Sequence, residues 1–251
     1  MNTPSPLSRR LIAEFIGAAF LAAVVIGSGM AAQQLSPHDV GLELAENAAA
    51  TGAGLYALIL MVGPVSGAHL NPIVSLVAAR LRALPPRDAL AYIPAQILGC
   101  VAGAVAANGM FGRAAVSIAG HHRASPAHVW AEVVATAGLV LVIFALVRTR
   151  RLAAVPAAVG AYIAAAYFFT SSTSFANPAI AIGRMFSNSF AGIAPASVPA
   201  FVAAQLVGGG LALLGVRLLY PDPEEREAPD EHGPVRVPAE RRALADEPSA
   251  V

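Results

Sequence analysis

"SGAHLNPIVSL", residues 66–76, and "SFANPAIAIGR", residues 174–184, each set an Asn-Pro dipeptide at the head of a short apolar run. Asn is a favoured helix N-cap and Pro suits the first helical position, where its missing N–H would be unpaired anyway. Helices are therefore predicted to begin at Asn71 and at Asn177. The runs that follow, 71–80 and 177–187, hold about ten residues each, and at about 1.5 Å per residue they reach only half of a ~30 Å hydrocarbon core. Each reads as a half-helix dipping in from one side. Irregular backbone at that depth is tolerated only where protein buries it or it lines a wet cavity, so a cavity is implied.

The rest of the chain supplies the membrane setting. Of 251 residues, 57% are hydrophobic and 12% charged, far from an ordinary soluble domain. Long apolar runs lie at about 8–30, 41–63, 88–110, 127–148, 152–170 and 197–220. The first, Leu11 to Met30, exceeds the ~7–15 apolar residues of a secretory signal and contains Glu14, so it reads as a mature span. Cys100 is the lone cysteine, which leaves no disulfide framework and no thiolate metal site. There is no lysine, and arginines gather near Arg9/Arg10, Arg80/Arg82/Arg87 and Arg148/Arg150/Arg151. The positive-inside rule makes those connections, and with them both termini, cytoplasmic. Residues 1–220 read as one channel domain, with repeats at about 8–110 and 127–220, and 221–251, rich in Pro and Glu, as a disordered acidic cytoplasmic tail.

An internal repeat organises these spans. "LIAEFIGAAFL" (11–21) matches "VWAEVVATAGL" (129–139), and each half then delivers one Asn-Pro half-helix. Three spans per half invert the second copy, so the half-helices enter from opposite faces and their N-termini meet near the midplane. The fold class is an all-α membrane protein, six transmembrane helices plus two re-entrant half-helices in an inverted repeat. Two facing dipoles, each worth roughly half a positive charge, repel cations and protons there, while the side-chain amides of Asn71 and Asn177 donate hydrogen bonds to a neutral solute. Glu14 and Glu132 are acids inside spans, read as bracing the re-entrant backbone; a proton-relay role is the competing reading. Small residues, as in "GAYIAAA" and "LVGGG", are expected at helix contacts. His121, His122 and His128 are read as a solvated loop and no metal is assigned. No nucleotide loop, catalytic triad or carboxylate pair is present, and no enzyme, cofactor or nucleic-acid partner is expected.

The two Asn-Pro strings, with "AEFIGAAFL" ahead of them, resemble the aquaporin and aquaglyceroporin family, the major intrinsic proteins, over about residues 8–220. The resemblance implies one pore per subunit, a homotetramer in the cell inner (plasma) membrane and passive conduction of small neutral solutes. Its signature positions map to Asn71-Pro72-Ile73 and Asn177-Pro178-Ala179, and its outer constriction to Thr51, Ala165, Ser174 and Ile180. Two departures stand out. Ile73 replaces the usual Ala and is expected at the contact between the half-helix starts. Ile180 stands where most members carry arginine, which implies a wide, weakly polar opening without an aromatic ring. Arg184, one turn further on, is expected to brace the half-helix through backbone carbonyls or to attract solute at the outer mouth; His69 is expected at the cytoplasmic side of the pore. Bacterial members with a small aliphatic residue after the second Asn-Pro-Ala are linked with arsenic handling. Glycerol-like polyols, urea and arsenous acid or methylated arsenicals, with water, are thus the expected permeants. A water channel of modest selectivity and a proton-coupled transporter are the alternatives.

Overall fold

The computed structural model describes residues 5–220, and within them every secondary-structure element is a helix. Six helices are long and apolar enough to cross a membrane. They are α1 (Leu7–Leu35), α2 (Val40–Ser66), α4 (Pro86–Met110), α5 (Pro126–Arg148), α6 (Val155–Phe169, preceded by the 3-10 turn Leu152–Ala154) and α8 (Val198–Leu219, preceded by the 3-10 turn Pro195–Ser197). Between them lie α3 (Pro72–Arg80) and α7 (Pro178–Gly183), the latter continued by a 3-10 turn over Arg184–Phe186. Residues 221–251, where the sequence predicts an acidic tail, lie outside the described residues.

Local chemistry sets the helix starts. Asp39 caps α2 by accepting from the Leu42 N–H, and Ser125 caps α5 by accepting from the His128 N–H. α1 runs on through Gln33 and Gln34 to Leu35, five residues past the end of the apolar run read at about 8–30. Glutamine is a good helix former, and the Gln33 Oε1 accepts from the Phe190 N–H, giving the polar end of the helix a partner.

The repeat is visible in the packing. α1 packs along α4 as α5 packs along α8, and α2 crosses α6. At the matched crossings glycine stands against backbone: a Cβ on Gly99 would overlap the Phe15 carbonyl oxygen, and one on Gly208 the Val133 carbonyl oxygen. Gly160 of "GAYIAAA" likewise abuts the Gly52 carbonyl. Such approach replaces the hydrophobic drive that lipid cannot supply.

One turn along from Gly99, a Cβ on Gly103 would collide with the Ala19 carbonyl oxygen, whereas Gly109 of the same helix has nothing within 4 Å of its would-be Cβ. Gly103→Ala is therefore expected to push α1 and α4 apart and cost about 1–3 kcal/mol. Gly109→Ala is expected to leave stability unchanged or slightly raised. Thermal unfolding of the two variants side by side in detergent checks this, and equal melting temperatures would refute it.

α3 and α7 are both held between α4 and α8. Ile73 does not press on the opposite half-helix. Its Cγ2 fills the notch left by Gly209 of α8, among Val77, Val140 and Val216. The extra bulk relative to alanine is absorbed by a missing Cβ across the interface, and the contact expected at the half-helix starts is corrected accordingly.

Candidate functional site

The site grows from the two segments that precede α3 and α7. Each is bent by left-handed residues: Gly67, Ala68 and Leu70 before Asn71, and Thr173, Ser174 and Ala176 before Asn177. A non-glycine residue with positive φ costs about 1 kcal/mol or more, so the bends need outside support. That support comes from the two intramembrane acids.

Glu14, fully buried on α1, accepts at Oε1 from the Ser66 hydroxyl (2.6 Å) and the His69 N–H (2.9 Å), and at Oε2 from the Leu70 N–H (2.6 Å) and Gln96 Nε2 (2.7 Å). Glu132 on α5 repeats the pattern. It accepts at Oε1 from Ser172 (2.7 Å) and the Phe175 N–H (2.8 Å), and at Oε2 from the Ala176 N–H (2.8 Å) and Gln205 Nε2 (2.6 Å). Every acceptor direction of both carboxylates faces a donor, so each acid sits in a closed hydrogen-bond shell.

Held in this way, the bends bring the half-helices nose to nose. Asn71 Nδ2 donates to the Ala176 carbonyl and Asn177 Nδ2 to the Leu70 carbonyl, both at 2.7 Å. The amide oxygens turn back onto their own helices: Asn71 Oδ1 accepts from the Ile73 N–H, and Asn177 Oδ1 from the N–H groups of Ala179 and Ile180. An amide nitrogen carries two hydrogens. One of each pair is spent across the junction, which leaves one N–H per asparagine for a solute.

Both asparagines line a cavity of about 650 Å³ that extends from Ala83 and Leu152, at the arginine-rich end of the bundle, past the junction to Thr51 and Arg184. Its far wall is apolar and regular in the sequence. Thr51, Leu55, Ile59 and Gly63 of α2, Leu139, Ile143 and Val147 of α5, and Val155, Val159, Ile163 and Tyr167 of α6 all line it at steps of four. That step keeps a stripe on one helix face. The passage has polar donors along one side and aliphatic side chains along the other.

His69 lines the cavity below the junction. Its Nδ1 lies 3.1 Å from Ser75 Oγ, and its ring packs edge-on to Tyr92 at 5.5 Å. Above the junction Thr51, Ser174 and Ile180 all face the cavity as expected. Ala165 does not. It is exposed on the outer surface of α6, two residues and roughly 200° of helix turn from Tyr167, which takes the place opposite Thr51. The Tyr167 hydroxyl lies 3.2 Å from Thr51 Oγ1. The layer expected to lack an aromatic ring has one, because α6 continues to Phe169 and its wall-facing stripe ends at Tyr167.

A match to the family described as "Major intrinsic protein" covers residues 2–174. The chain belongs to the major intrinsic protein family. It is 47% identical over 213 residues to aquaglyceroporin AqpS of Rhizobium meliloti (strain 1021), covering 85% of this chain and 91% of that one. It is also 36% identical over 111 residues to the probable aquaporin NIP5-1 of Arabidopsis thaliana, covering 43% of this chain and 36% of that one. The X-ray structure of the aquaglyceroporin from Plasmodium falciparum shares the fold, with a TM-score of 0.66, 20% identity, and coverage of 84% of this chain and 96% of that one. This major intrinsic protein is thus a multi-pass membrane channel for the passive passage of small solutes, and it is not an enzyme.

Several supports of the channel carry no motif. Gln96 and Gln205 close the two carboxylate shells from α4 and α8, and Ser66 and Ser172 each link an acid to its bend, the latter pair also accepting from the N–H groups of Ala68 and Ser174. Their signal was positional: each member of a pair sits five residues before its asparagine or on the same turn of its helix. The four-residue stripe ending at Tyr167 was likewise in the sequence. Nothing in the sequence shows Phe175 as the floor on which Arg184 rests.

Proposed function

We propose that the channel conducts small uncharged, hydroxyl- or amide-bearing solutes, namely glycerol-like polyols, urea, and arsenous acid or methylated arsenicals, together with water. The observation that carries this reading is an outer layer with isoleucine at 180, flanked by Thr51 and Ser174, above two free asparagine N–H donors and a continuous aliphatic wall. A neutral solute with oxygens on one side and carbon or a heavy atom on the other finds both faces matched. The 47% identical relative, named an aquaglyceroporin, supports the solute class. The Tyr167 ring in the same layer favours a second reading, a water-preferring channel. Pore positions Asn71, Asn177, Pro72, Pro178, Ile73 and Ala179, filter positions Thr51, Ser174 and Ile180, an assembly of four subunits, and an inner-membrane location with both termini cytoplasmic complete the proposal.

Stopped-flow light scattering on proteoliposomes, comparing water, glycerol and arsenous acid, tests it. All three fluxes are expected above those of empty liposomes, with low temperature dependence and no response to a proton ionophore. Water flux alone would favour the second reading, and fluxes abolished by the ionophore would overturn both in favour of proton coupling through Glu14 and Glu132.

A further inference from the structure

We propose that Arg184 is the specificity-determining cation of the outer constriction, supplying from one helical turn away the positive charge and donors that position 180 lacks. The inference rests on the cavity being the conduction path. Arg184 follows α7, and Ile180 lies one turn nearer its N-terminus. Helical side chains lean toward the N-terminus of their helix, so a long side chain at 184 covers the turn that contains 180. The structure shows that reach: the guanidinium carbon lies 3.5 Å from the ring centroid of Phe175, two residues ahead of the half-helix cap. The same side chain lines the cavity, yet its residue is only 2% exposed, so the charge sits in the wall and not in bulk solvent.

Two contacts fix its direction. Nε donates to the Ala191 carbonyl, which anchors one edge. The Phe175 ring supports the flat face through a cation–π contact, and that ring is itself held edge-to-face by Phe201 at 5.1 Å and through its backbone N–H by Glu132. The two Nη nitrogens have no protein acceptor among the described residues. In the adjoining wall, Ser174 Oγ is buried and also without a partner among the described residues. Wall donors without a protein acceptor, such as the two Nη nitrogens, are open to the oxygens of what passes. The four N–H groups of the two Nη nitrogens suit the oxygens of a neutral polyol or hydroxide, while the fixed charge raises the cost for any cation.

The test uses full-length protein in proteoliposomes and follows glycerol by light scattering, with methylammonium and proton entry followed by an internal pH dye. Arg184→Met is expected to raise cation flux relative to glycerol flux about tenfold or more, since a unit charge a few ångströms from the path is lost. Arg184→Gln, which retains an N–H donor for the Ala191 carbonyl, is the variant read if the methionine protein does not insert, with the same expectation. Adding Ile180→Arg to either variant is expected to restore exclusion. Cation flux unchanged in a variant that still conducts glycerol would overturn the proposal and leave the solute-channel reading intact. Absence of glycerol flux in the natural protein would overturn both.

Discussion

Glu132→Ala is expected to yield almost no folded channel. The carboxylate accepts four hydrogen bonds in a site without solvent exposure, and the methyl group that replaces it accepts none. Each buried donor left unpaired costs about 1–3 kcal/mol, so four of them cost about 4 kcal/mol or more. That is a large share of the roughly 5–15 kcal/mol by which proteins are stable. The positive-φ residues Ser174 and Ala176 lose their anchor in the same step, and the bend that presents Asn177 goes with them. Glu132→Gln should be far milder. The new amide oxygen can keep Ser172 and the Phe175 N–H, and Gln205, whose Oε1 has no partner among the described residues, can turn its amide to accept from the new amino group. The Ala176 N–H and the turned Gln205 amino group are then left over, two donors in place of four. The measurement is the yield of monodisperse protein in detergent and its melting temperature, for both variants and for the matched pair at Glu14. Near-natural stability in Glu132→Ala would sink the bracing account, and pH-dependent solute flux lost in a stable Glu132→Gln would point to proton coupling instead.

The second large effect is expected from Ile180→Arg. Ile180 is buried against the cavity beside Thr51, Tyr167 and Ser174, so a guanidinium placed there projects into a layer already narrowed by one aromatic ring. Glycerol and arsenous acid fluxes should fall about tenfold or more, because a solute that cannot shed bulk meets both a steric and a donor-lined restriction. Water, needing less width, should persist. The new charge also lies one turn from Arg184, and two like charges about 6 Å apart at an effective dielectric near 20 repel by roughly 3 kcal/mol. Some loss of stability is therefore expected, and it should be relieved when Arg184 is neutralised in the same chain. Stopped-flow fluxes for all three solutes decide the matter. A glycerol-to-water ratio unchanged by Ile180→Arg would show that the limiting constriction lies elsewhere along the passage.

These expectations depend unequally on sequence and on tertiary structure. The six spans, the two half-helices, the inverted repeat and the junction of Asn71 with Asn177 were all legible in the chain. Each rests on a short-range rule: span length against bilayer thickness, an N-cap followed by proline, and an odd number of crossings per repeat. The pairing of Glu14 and Glu132 was legible too, since both follow Ala at the same place in matched segments.

What only the tertiary structure decided is how each helix is rotated about its own axis and what lies across from it. The family resemblance maps the constriction to Ala165, but the packing of α6 on α2 turns Tyr167 to the cavity and Ala165 to the outside. Ile73 looks intrusive in the sequence and is harmless because Gly209, 136 positions later, leaves room for it. Arg184 and Phe175 stand nine positions apart on either side of a helix start, and only the fold back of the left-handed bend lays one on the other. Backbone rules are local and travel with the sequence; side-chain facing is settled by contacts between distant segments, and the filter of this channel is made of side chains.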